Sequence, residues 1–421
     1  MTAPRDYLSH LNSSVIRLGL VPVKKLLASL NNPHNNFRSV LIGGTNGKGS
    51  IAATTAAILR AAGLRTGLYT SPHLVDLRER IRIDDAMITW EALDDLIDEV
   101  RGRVGEEVTY FEFLTAVAFL HFSRMHVDVA VLEVGLGGRL DATNVVEPLA
   151  SVISNISLEH QEYLGARLAD IAREKAGIIR EGGVCITAAK QTVVRRVLAE
   201  TCRQRRAALY QLGKDITARR NKDGTFSYQG LKKNYTGIPC SLVGRHQIEN
   251  AALALATTEL LSARGLVISD EAVFQGMKNT QWEGRLEVLQ TTPLVVLDGG
   301  HNPAGITVLC RALKEDFTYR RLILVFGVLR DKNYPQMLKK LAPLAQKIII
   351  TRPDSERAVP PAEVQVWAKP YCDQVEIVEE PGQALKSALA GADREDLVCV
   401  AGSLYLIGAI KKAHALSRAS N

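Results

Sequence analysis

Apolar residues recur along the chain at spacings that predict alternating helices and strands. Near the N-terminus they lie three or four positions apart at 7–16 and again at 18–30, which predicts two helices. Residues 127–132 are almost continuously apolar, as in a strand buried on both faces of a parallel sheet. The same reasoning predicts helices at 89–104, 110–125 and 246–263, strands at 65–70 and 150–156, and a β-hairpin around 221–224.

The pattern changes near residues 282–288, after which strands and helices alternate again. Strands are predicted at 294–297, 322–326, 347–351, 375–378 and 397–400. Such alternation indicates a doubly wound parallel sheet, and the first half of the chain shows it too. We therefore predict an α/β protein with two domains, residues 1–285 and a smaller, Rossmann-like domain of residues 286–421.

Residues 40–50 read Val-Leu-Ile-Gly-Gly-Thr-Asn-Gly-Lys-Gly-Ser and precede helix-forming residues. An apolar run, then small residues, then a helix predicts a strand followed by a phosphate-binding loop, as in P-loop NTPases. In this interpretation Lys48 supplies a positive charge and Ser50 a magnesium ligand. The spacing departs from the common loop because Gly49 separates the two. A glycine-rich turn before a buried helix is the alternative.

Polar residues follow three predicted strands of the first domain. They are the turn at 71–74, Glu133 and His160. Because the carboxyl ends of parallel strands meet at one edge, where such folds bind ligands, we expect a magnesium site near Glu133 and His160. The alternatives are an acid that caps the next loop and a structural histidine.

Two further residues have ordinary interpretations when only the pattern is considered. Lys175 ends a predicted helix, where a lysine is usually solvated. Asn250 lies among alanines in the second turn of the helix predicted at 246–263, and a polar residue there is expected on an exposed face.

Composition excludes several classes of protein. The 421 residues are 46% hydrophobic and 23% charged, which is typical of a soluble globular protein, and no apolar run is long enough to span a membrane. The first residues lack the apolar core of a signal peptide, so a cytoplasmic location is expected.

The cysteines and the net charge add little chemistry. The six cysteines are scattered with no C-x-x-C pair, so neither a disulfide framework nor a zinc site is predicted. The net charge is +7, but the basic clusters lack interleaved aromatic residues. An anionic small substrate or a solvated surface explains the charge as well as nucleic acid does, and we expect no nucleic-acid or membrane partner.

Seven segments resemble the motifs of the folylpolyglutamate synthase/dihydrofolate synthase family, which belongs to the Mur-ligase-like ATP-dependent amide ligases. They are GTNGKGS at 44–50, SPHL at 71–74, LEVGLGGRLDATN at 132–144, REKAGI at 173–178, HQIENA at 246–251, DGGHNP at 298–303 and GSLY at 402–405. The segments occur in family order and together reach across nearly the whole chain. The resemblance also accounts for Gly49, because Gly-Lys-Gly-Ser is the family's own variant of the loop.

The resemblance implies a role for each candidate residue. Contacts to ATP are implied for Thr45, Asn46, Gly47, Lys48, Gly49, Ser50, Asn250, Arg285 and Asp298. Magnesium, as two ions, is implied at Ser50, Glu133, His160 and Lys175, the last carrying a carbamate that turns a cation into a carboxylate. Contact with the pterin is implied for Ser71, Pro72 and His73, and a glutamate pocket between the domains for His301 and Ser403. The residues expected to take part in catalysis are Lys48, Lys175 and His301.

The chain departs from the family pattern at three positions. Glu159 stands where the family usually has Asp, so the extra methylene is expected to shift His160. Glu283 stands where Pro is common, which is expected to loosen the linker and change how Arg285 reaches ATP. Gly300 replaces the usual Ala, and we expect no effect.

The reaction that the resemblance implies belongs to folate biosynthesis, polyglutamylation and one-carbon metabolism. The carboxylate of dihydropteroate or of a reduced folate attacks the γ-phosphate of ATP, and the amine of L-glutamate then displaces phosphate from the acyl phosphate. The motif set favours a bifunctional enzyme, and we expect a monomer.

Two other functions are compatible with parts of the sequence. A Mur-type ligase acting on a cell-wall precursor is disfavoured because no domain for a uridine nucleotide precedes the phosphate-binding loop. An ATP-hydrolysing switch or binding module is disfavoured because it leaves the motifs at 298–302 and Ser403 unexplained.

Overall fold

The computed structural model describes residues 4–11, 15–105 and 108–419, which form two compact units. Unit 1 comprises Met1–His73, Arg78–Ser241 and Gln247–Gln281, and unit 2 comprises Leu74–Leu77, Leu242–His246 and Trp282–Asn421. The predicted division between residues 285 and 286 falls within the last of these segments.

Unit 1 is built on an eight-stranded sheet. Its strands are β1 (Arg38–Gly43), β2 (Thr66–Tyr69), β3 (Ile81–Ile83), β4 (Ala86–Met87), β5 (Val129–Glu133), β6 (Ala150–Ile153), β7 (Val184–Thr187) and β8 (Ala208–Gln211). The order is β4-β3-β2-β5-β1-β6-β7-β8, in which only β3 and β4 run antiparallel to their neighbours. A separate antiparallel sheet contains β9 (Thr217–Arg220), β10 (Phe226–Gln229) and β11 (Asn234–Ile238) and confirms the predicted hairpin.

Helices cover the large sheet. They are α1 (Pro4–His10), α2 (Val21–Ser29), α3 (Lys48–Ala61), α4 (Trp90–Arg101), α5 (Tyr110–Arg124), α6 (Gln161–Leu164), α7 (Leu168–Ala176), α8 (Thr192–Gln204), α9 (Arg245–Ala263, with residues 247–263 in unit 1) and α10 (Asp270–Asn279). Because both faces of the sheet are covered, every residue of β5 is buried.

Side-chain caps set the starts of two predicted helices. Thr89 accepts a hydrogen bond from the backbone N–H of Ala92 at the start of α4. Thr109 and Glu112 form a reciprocal capping box at the start of α5, in which the N–H of Thr109 donates to Glu112 Oε2 at 2.8 Å. The caps satisfy backbone donors that have no partner within the helix.

The first predicted helix is shorter than the apolar spacing indicated. α1 ends at His10, and residues 15–19 are not helical. Residues 12–14, which the prediction also covered, lie outside the described residues. Val15 and Ile16 are exposed by 46% and 37%, so they lack the buried contacts that stabilise an amphipathic helix.

Unit 2 contains a six-stranded sheet with helices on both faces. Its strands are β12 (Glu287–Thr291), β13 (Leu294–Asp298), β14 (Leu322–Phe326), β15 (Lys347–Ile350), β16 (Val375–Ile377) and β17 (Leu397–Ala401), in the order β12-β13-β17-β14-β15-β16. Its helices are α11 (Pro303–Glu315), α12 (Tyr334–Leu341), α13 (Pro361–Ala368), α14 (Pro381–Ala390) and α15 (Leu404–Ala419). Only β12 is antiparallel, and an apolar cluster packs on each face. The predicted doubly wound α/β class is therefore confirmed for both units.

None of the helices in the described residues combines the length and apolar character that a membrane span requires.

A glycine in α10 sets how closely this helix packs on α3, the helix that follows the phosphate-binding loop. A Cβ atom on Gly276 would lie 2.6 Å from the backbone nitrogen of Ile58 and closer still to its Cα atom. Because the obstacle is backbone, no side-chain rotation can relieve the overlap. We expect Gly276→Ala to lower the free energy of unfolding by about 1–3 kcal/mol, measured from urea unfolding.

Gly102→Ala is the matched control. Gly102 ends α4 with φ −65°, and its nearest atoms would lie 3.5 and 3.6 Å from a new Cβ, which is ordinary contact. This variant should unfold at the wild-type urea concentration or slightly above it. An equal loss in both variants would contradict the close approach of α10 to α3.

Candidate functional site

The phosphate-binding loop lies between β1 and α3, where it was predicted. Gly47 is the N-cap of α3, with φ +88°, and Gly44 has φ +128°. A Cβ on Gly44 would overlap Ser154 Oγ, and one on Gly47 would lie 2.5 Å from Asn250 Oδ1. These glycines are therefore required both by the backbone conformation and by close neighbours. Gly49 and Ser50 are buried in the first turn of α3.

Polar residues that follow β6 hold the loop in place. The backbone N–H of Asn46 donates to Asn155 Oδ1 at 3.1 Å, and its carbonyl accepts from Asn155 Nδ2 at 2.9 Å and from Ser154 Oγ at 2.7 Å. Thr45 Oγ1 accepts from the N–H of Ser157 at 3.1 Å. These residues were not identified from the sequence. Polar residues directly after a strand that ends at the same edge of the sheet could have indicated them.

The strand ends bring other candidates to the same edge of the sheet. Ile42, the penultimate residue of β1, pairs with Glu133, the last residue of β5. Glu133 is 5% exposed, and its Oε2 atom accepts a hydrogen bond from the N–H of Ser71 at 3.1 Å. The Ser71–Pro72 peptide bond is cis. The loop at 71–73 and the strand-end carboxylate are thus in direct contact.

Lys175 is buried, which corrects the ordinary interpretation of a solvated lysine at a helix end. It is 2% exposed, and its Nζ atom donates to the carbonyl of Gly44 and to Glu159 Oε1, each at 2.8 Å. α7 packs this side chain under the phosphate-binding loop, a placement that helix periodicity alone does not specify.

The charges around Lys175 are strongly coupled. Burial lowers the pKa of Lys175. The carboxylate of Glu159 opposes this lowering, and the positive charge of Lys48 adds to it. For Glu159, burial raises the pKa, but the ammonium groups of Lys175 and Lys48 outweigh it and bring the pKa to about 2. Glu159 is therefore a carboxylate that pairs with Lys175. His160 follows, half-buried, at the start of α6 with φ +44°.

The oxygen atoms near the loop fit a magnesium ion that phosphates help to hold. The described residues contain no cluster of three or more His, Cys, Asp and Glu side chains that could bind a metal by themselves. Ser50 is buried beside the loop, and Ser157 Oγ is buried with no hydrogen-bond partner in the part of the chain that the structure describes. With Glu133, these are hard oxygen donors, and magnesium in nucleotide sites commonly takes one or two protein oxygens plus phosphates.

Asn250 is also buried, contrary to the exposed position that the sequence pattern indicated. It is 7% exposed, and its Nδ2 atom donates to Gln247 Oε1 at 2.9 Å. Its carboxamide faces Gly47 of the phosphate-binding loop. Asn250 therefore lies directly beside the phosphate-binding loop.

A cavity of about 540 Å³ lies in unit 1 beside the start of α5. Its walls include the rings of Tyr7 and Tyr110, the hydroxyl-bearing Thr109, and Arg17. Sequence reasoning did not find this cavity, because its walls come from segments nearly one hundred residues apart.

An arginine connects the cavity with the loop at 71–73. Arg80 Nε donates to His73 Nδ1 at 2.9 Å, and the Arg80 guanidinium lies 5.5 Å from the centre of the Tyr110 ring. Arg80 is only 9% exposed, so this contact is desolvated and geometrically fixed.

The candidates of unit 2 gather at the carboxyl edge of its own sheet. Asp298 ends β13 and pairs with Ala401 of β17, which places the loops that carry His301 and Ser403 side by side. Asp298 accepts from the N–H groups of Leu286 and Gly300 at 3.1 and 2.9 Å. Burial raises its pKa, and Arg285 together with these N–H groups opposes the rise.

The remaining side chains of this group shape the two loops. His301 Nδ1 lies 2.9 Å from the carbonyl of Gly299, and Ser403 Oγ accepts from the N–H of Tyr405 at 3.2 Å. Asn302 caps α11 by accepting from the N–H of Gly305 at 2.7 Å. These hydrogen bonds fix the shape of both loops.

Glu283, the second departure from the family pattern, is held by an ion pair. Lys411 Nζ of α15 lies 2.7 Å from Glu283 Oε2 and 2.5 Å from Glu287 Oε1. Both acids belong to unit 2, so the segment next to Arg285 is tied to α15.

Comparison with known proteins identifies both halves of the chain. The Mur ligase middle domain matches residues 42–258, and the Mur ligase glutamate ligase domain matches residues 284–404. The first match includes the phosphate-binding loop, Glu133 and Lys175, and the second includes Asp298, His301 and Ser403.

Similar proteins cover almost the full length. Dihydrofolate synthase/folylpolyglutamate synthase of Bacillus subtilis is 36% identical over 416 residues, which are 94% of this chain and 95% of that protein. The structure of Escherichia coli FolC in complex with DHPP and ADP is 30% identical, with a TM-score of 0.91 and coverage of 99% of both chains.

A second similar structure contains a metal. It is the bifunctional folylpolyglutamate synthase/dihydrofolate synthase of Yersinia pestis complexed with AMPPNP and a Mn ion, which is 31% identical, with a TM-score of 0.87 and coverage of 99% of this chain and 97% of that one. The two Mur ligase domains and 36% identity over nearly the whole chain show that this protein belongs to the dihydrofolate synthase/folylpolyglutamate synthase family of Mur-type ligases.

Proposed function

We propose that this protein is an ATP-dependent ligase that adds L-glutamate to dihydropteroate and to reduced folates. The observation that carries the proposal is the phosphate-binding loop, whose shape is fixed by residues 154–157 and whose sheet edge presents the buried carboxylate of Glu133. Relatives named for both synthase activities support two substrates rather than one.

In the first step the substrate carboxylate attacks the γ-phosphate of ATP and ADP leaves, forming an acyl phosphate. Phosphoryl transfer requires positioning and charge neutralisation more than covalent assistance. Lys48 and the backbone N–H groups of the loop supply both, because Lys48 Nζ donates to the carbonyl of Thr45 and the loop leads directly into α3. A preorganised site has little reorganisation to undergo during the reaction.

Ser50, Glu133 and His160 are the residues that we propose hold magnesium. When bound, magnesium neutralises charge on the phosphate oxygens. The buried Glu133 carboxylate keeps its orientation through the Ser71 N–H group, so the metal position and the loop at 71–73 are coupled. Two ions are expected if Lys175 also becomes a ligand.

We propose that Lys175 becomes a ligand by carbamylation. Its neutral amine adds to carbon dioxide and loses a proton, giving a carbamate with two oxygen donors. The lowered pKa of Lys175 supports this step because the neutral amine is the nucleophile. The ion pair with Glu159 opposes it, since the carboxylate stabilises the ammonium form.

In the second step the amine of glutamate attacks the acyl phosphate and phosphate leaves. We propose that His301 and Ser403 bind glutamate, because their loops adjoin at the carboxyl edge of the unit 2 sheet. His301 orients the amine or accepts its proton.

The pteridine ring is proposed to bind in the cavity beside α5. A flat heteroaromatic ring suits walls formed by Tyr7 and Tyr110, and Arg17 and Arg80 suit the negative charge of the substrate. The contact between Arg80 and His73 links this cavity to the loop that the family resemblance assigns to the pterin.

The activity is tested by ADP release with dihydropteroate or tetrahydrofolate, each with ATP, magnesium and L-glutamate. We expect sustained ADP release with either substrate only when glutamate is present. Tyr110→Leu should raise the KM for the pterin substrate roughly 3–10-fold with little change in the KM for ATP, as loss of an aromatic contact predicts. The exposed Tyr371→Leu is the matched control.

Each alternative function gives a different result in the same assay. ADP release that requires neither glutamate nor the pterin substrate would indicate an ATP-hydrolysing switch. Activity with only one of the two pterin substrates would refute the bifunctional assignment and leave the ligase chemistry in place.

Carbamylation is tested by ¹³C NMR of the protein equilibrated with ¹³C-bicarbonate. We expect one slowly exchanging carbamate resonance in the wild type that disappears in Lys175→Arg. It should gain intensity in Glu159→Gln, because the competing ion pair is removed. Lys190→Arg, at an exposed ion pair, is the matched control and should keep the resonance. A wild-type spectrum without the resonance would exclude the carbamate.

Binding of glutamate by His301 is tested with His301→Ala. Loss of a hydrogen bond to a charged group should raise the KM for glutamate or lower kcat by roughly 10–100-fold. The KM for ATP should stay within a factor of about two, since the phosphate-binding loop is intact. Wild-type values of both glutamate constants would show that His301 has no part in the second step.

A further inference from the structure

Gln247 is a buried amide that the preceding steps leave without a role. It is the third residue of α9 and is 1% exposed. Its Oε1 atom accepts from Asn250 Nδ2 at 2.9 Å, but its Nε2 atom is buried and has no hydrogen-bond partner among the described residues. The oxygen of this amide is thus hydrogen-bonded, and among the described residues its nitrogen is not.

The Oε1 atom of Gln247 is linked to the phosphate-binding loop through one residue, Asn250. Asn250 lies one turn further along α9, on the same face as Gln247. The Oδ1 atom of Asn250 is so close to Gly47 that a Cβ there would lie 2.5 Å away. Because a carboxamide is planar, fixing its Nδ2 atom on Gln247 also fixes the direction of its Oδ1 atom toward the loop.

If Gln247 had only a structural role, its buried Nε2 group would lower the stability of the protein. A buried N–H group without a partner loses its hydration and gains nothing in return. A methionine of similar length would fill the same space without that cost. An amide at this position is explained if a polar atom arrives with a ligand, and the neighbouring loop is the proposed binding site of the phosphates.

We propose that Gln247 is a positioning residue for the nucleotide. Its Oε1 atom sets the carboxamide of Asn250 against Gly47, and its Nε2 group completes its hydrogen bonding with an oxygen of the bound nucleotide. The inference rests on the proposed function, since ATP and ADP are the ligands it invokes.

Two substitutions separate the two ends of the side chain. Gln247→Met removes the acceptor and the donor but keeps the length. Gln247→Glu keeps an acceptor for Asn250 and replaces the donor with a second oxygen, which repels an anionic ligand. Gln275, an exposed glutamine on α10, provides the matched controls Gln275→Met and Gln275→Glu.

The measurement is the Kd for ADP by titration calorimetry on the full-length protein, together with the unfolding temperature without nucleotide. We expect Gln247→Met to weaken ADP binding roughly 3–10-fold and Gln247→Glu by more than about 10-fold. The unfolding temperature of Gln247→Met should equal or exceed that of the wild type, because a buried unpaired donor is gone. The KM for glutamate should not change in either variant.

The possible outcomes separate this inference from the proposed function. If Gln247→Met lowers the unfolding temperature and leaves the Kd for ADP unchanged, Gln247 is structural and the inference is wrong. If Gln247→Glu binds ADP as the wild type does, the donor contact is wrong. In both cases wild-type ADP binding and glutamate-dependent ADP release would leave the ligase assignment intact. A wild-type protein that does not bind ADP would overturn both.

Discussion

The site in unit 1 depends on how a loop with few side chains is held in one shape. Glycines let the backbone N–H groups approach a phosphate, but they also give the loop many conformations when unfolded. The segment after β6 supplies the missing restraint, because Asn155 bonds both the N–H and the carbonyl of Asn46, and Ser154 bonds the same carbonyl. The anion site is therefore a joint product of β1, β6 and the start of α3.

A buried charge pair lies beneath the same loop. Lys175 and Glu159 are 3% and 11% exposed at their side chains, and Lys175 also donates to the carbonyl of Gly44. Such a pair contributes little net stability, but removing one member leaves an uncompensated buried charge that costs about 3–5 kcal/mol. Substituting either residue therefore changes both the loop and the local electrostatics. The effect of such a substitution on activity must be interpreted together with its effect on stability.

In both units the candidate residues lie at the carboxyl edge of a parallel sheet. Loops that leave the carboxyl ends of neighbouring strands bring residues distant in sequence to one edge. In unit 1 this edge joins Glu133, Ser71 and the phosphate-binding loop, and in unit 2 it joins the loops of His301 and Ser403. The proposed two-step chemistry thus uses one such edge for the phosphates and another for glutamate.

The sequence alone determined the α/β class, most of the strands and the position of the phosphate-binding loop, because hydrophobic periodicity and glycine placement are local properties of a chain. It did not predict β3, β4, β11 or β12. It also indicated the family through seven ordered segments. Tertiary structure decided which polar residues are buried. Lys175 and Asn250 have the local pattern of exposed residues, yet packing under and beside the loop buries both. Packing also created the cavity of Tyr7 and Tyr110, and it left the Gln247 Nε2 group without a hydrogen-bond partner among the described residues. The burial and pairing of these polar residues depend on contacts between distant segments, which the spacing within one segment does not specify.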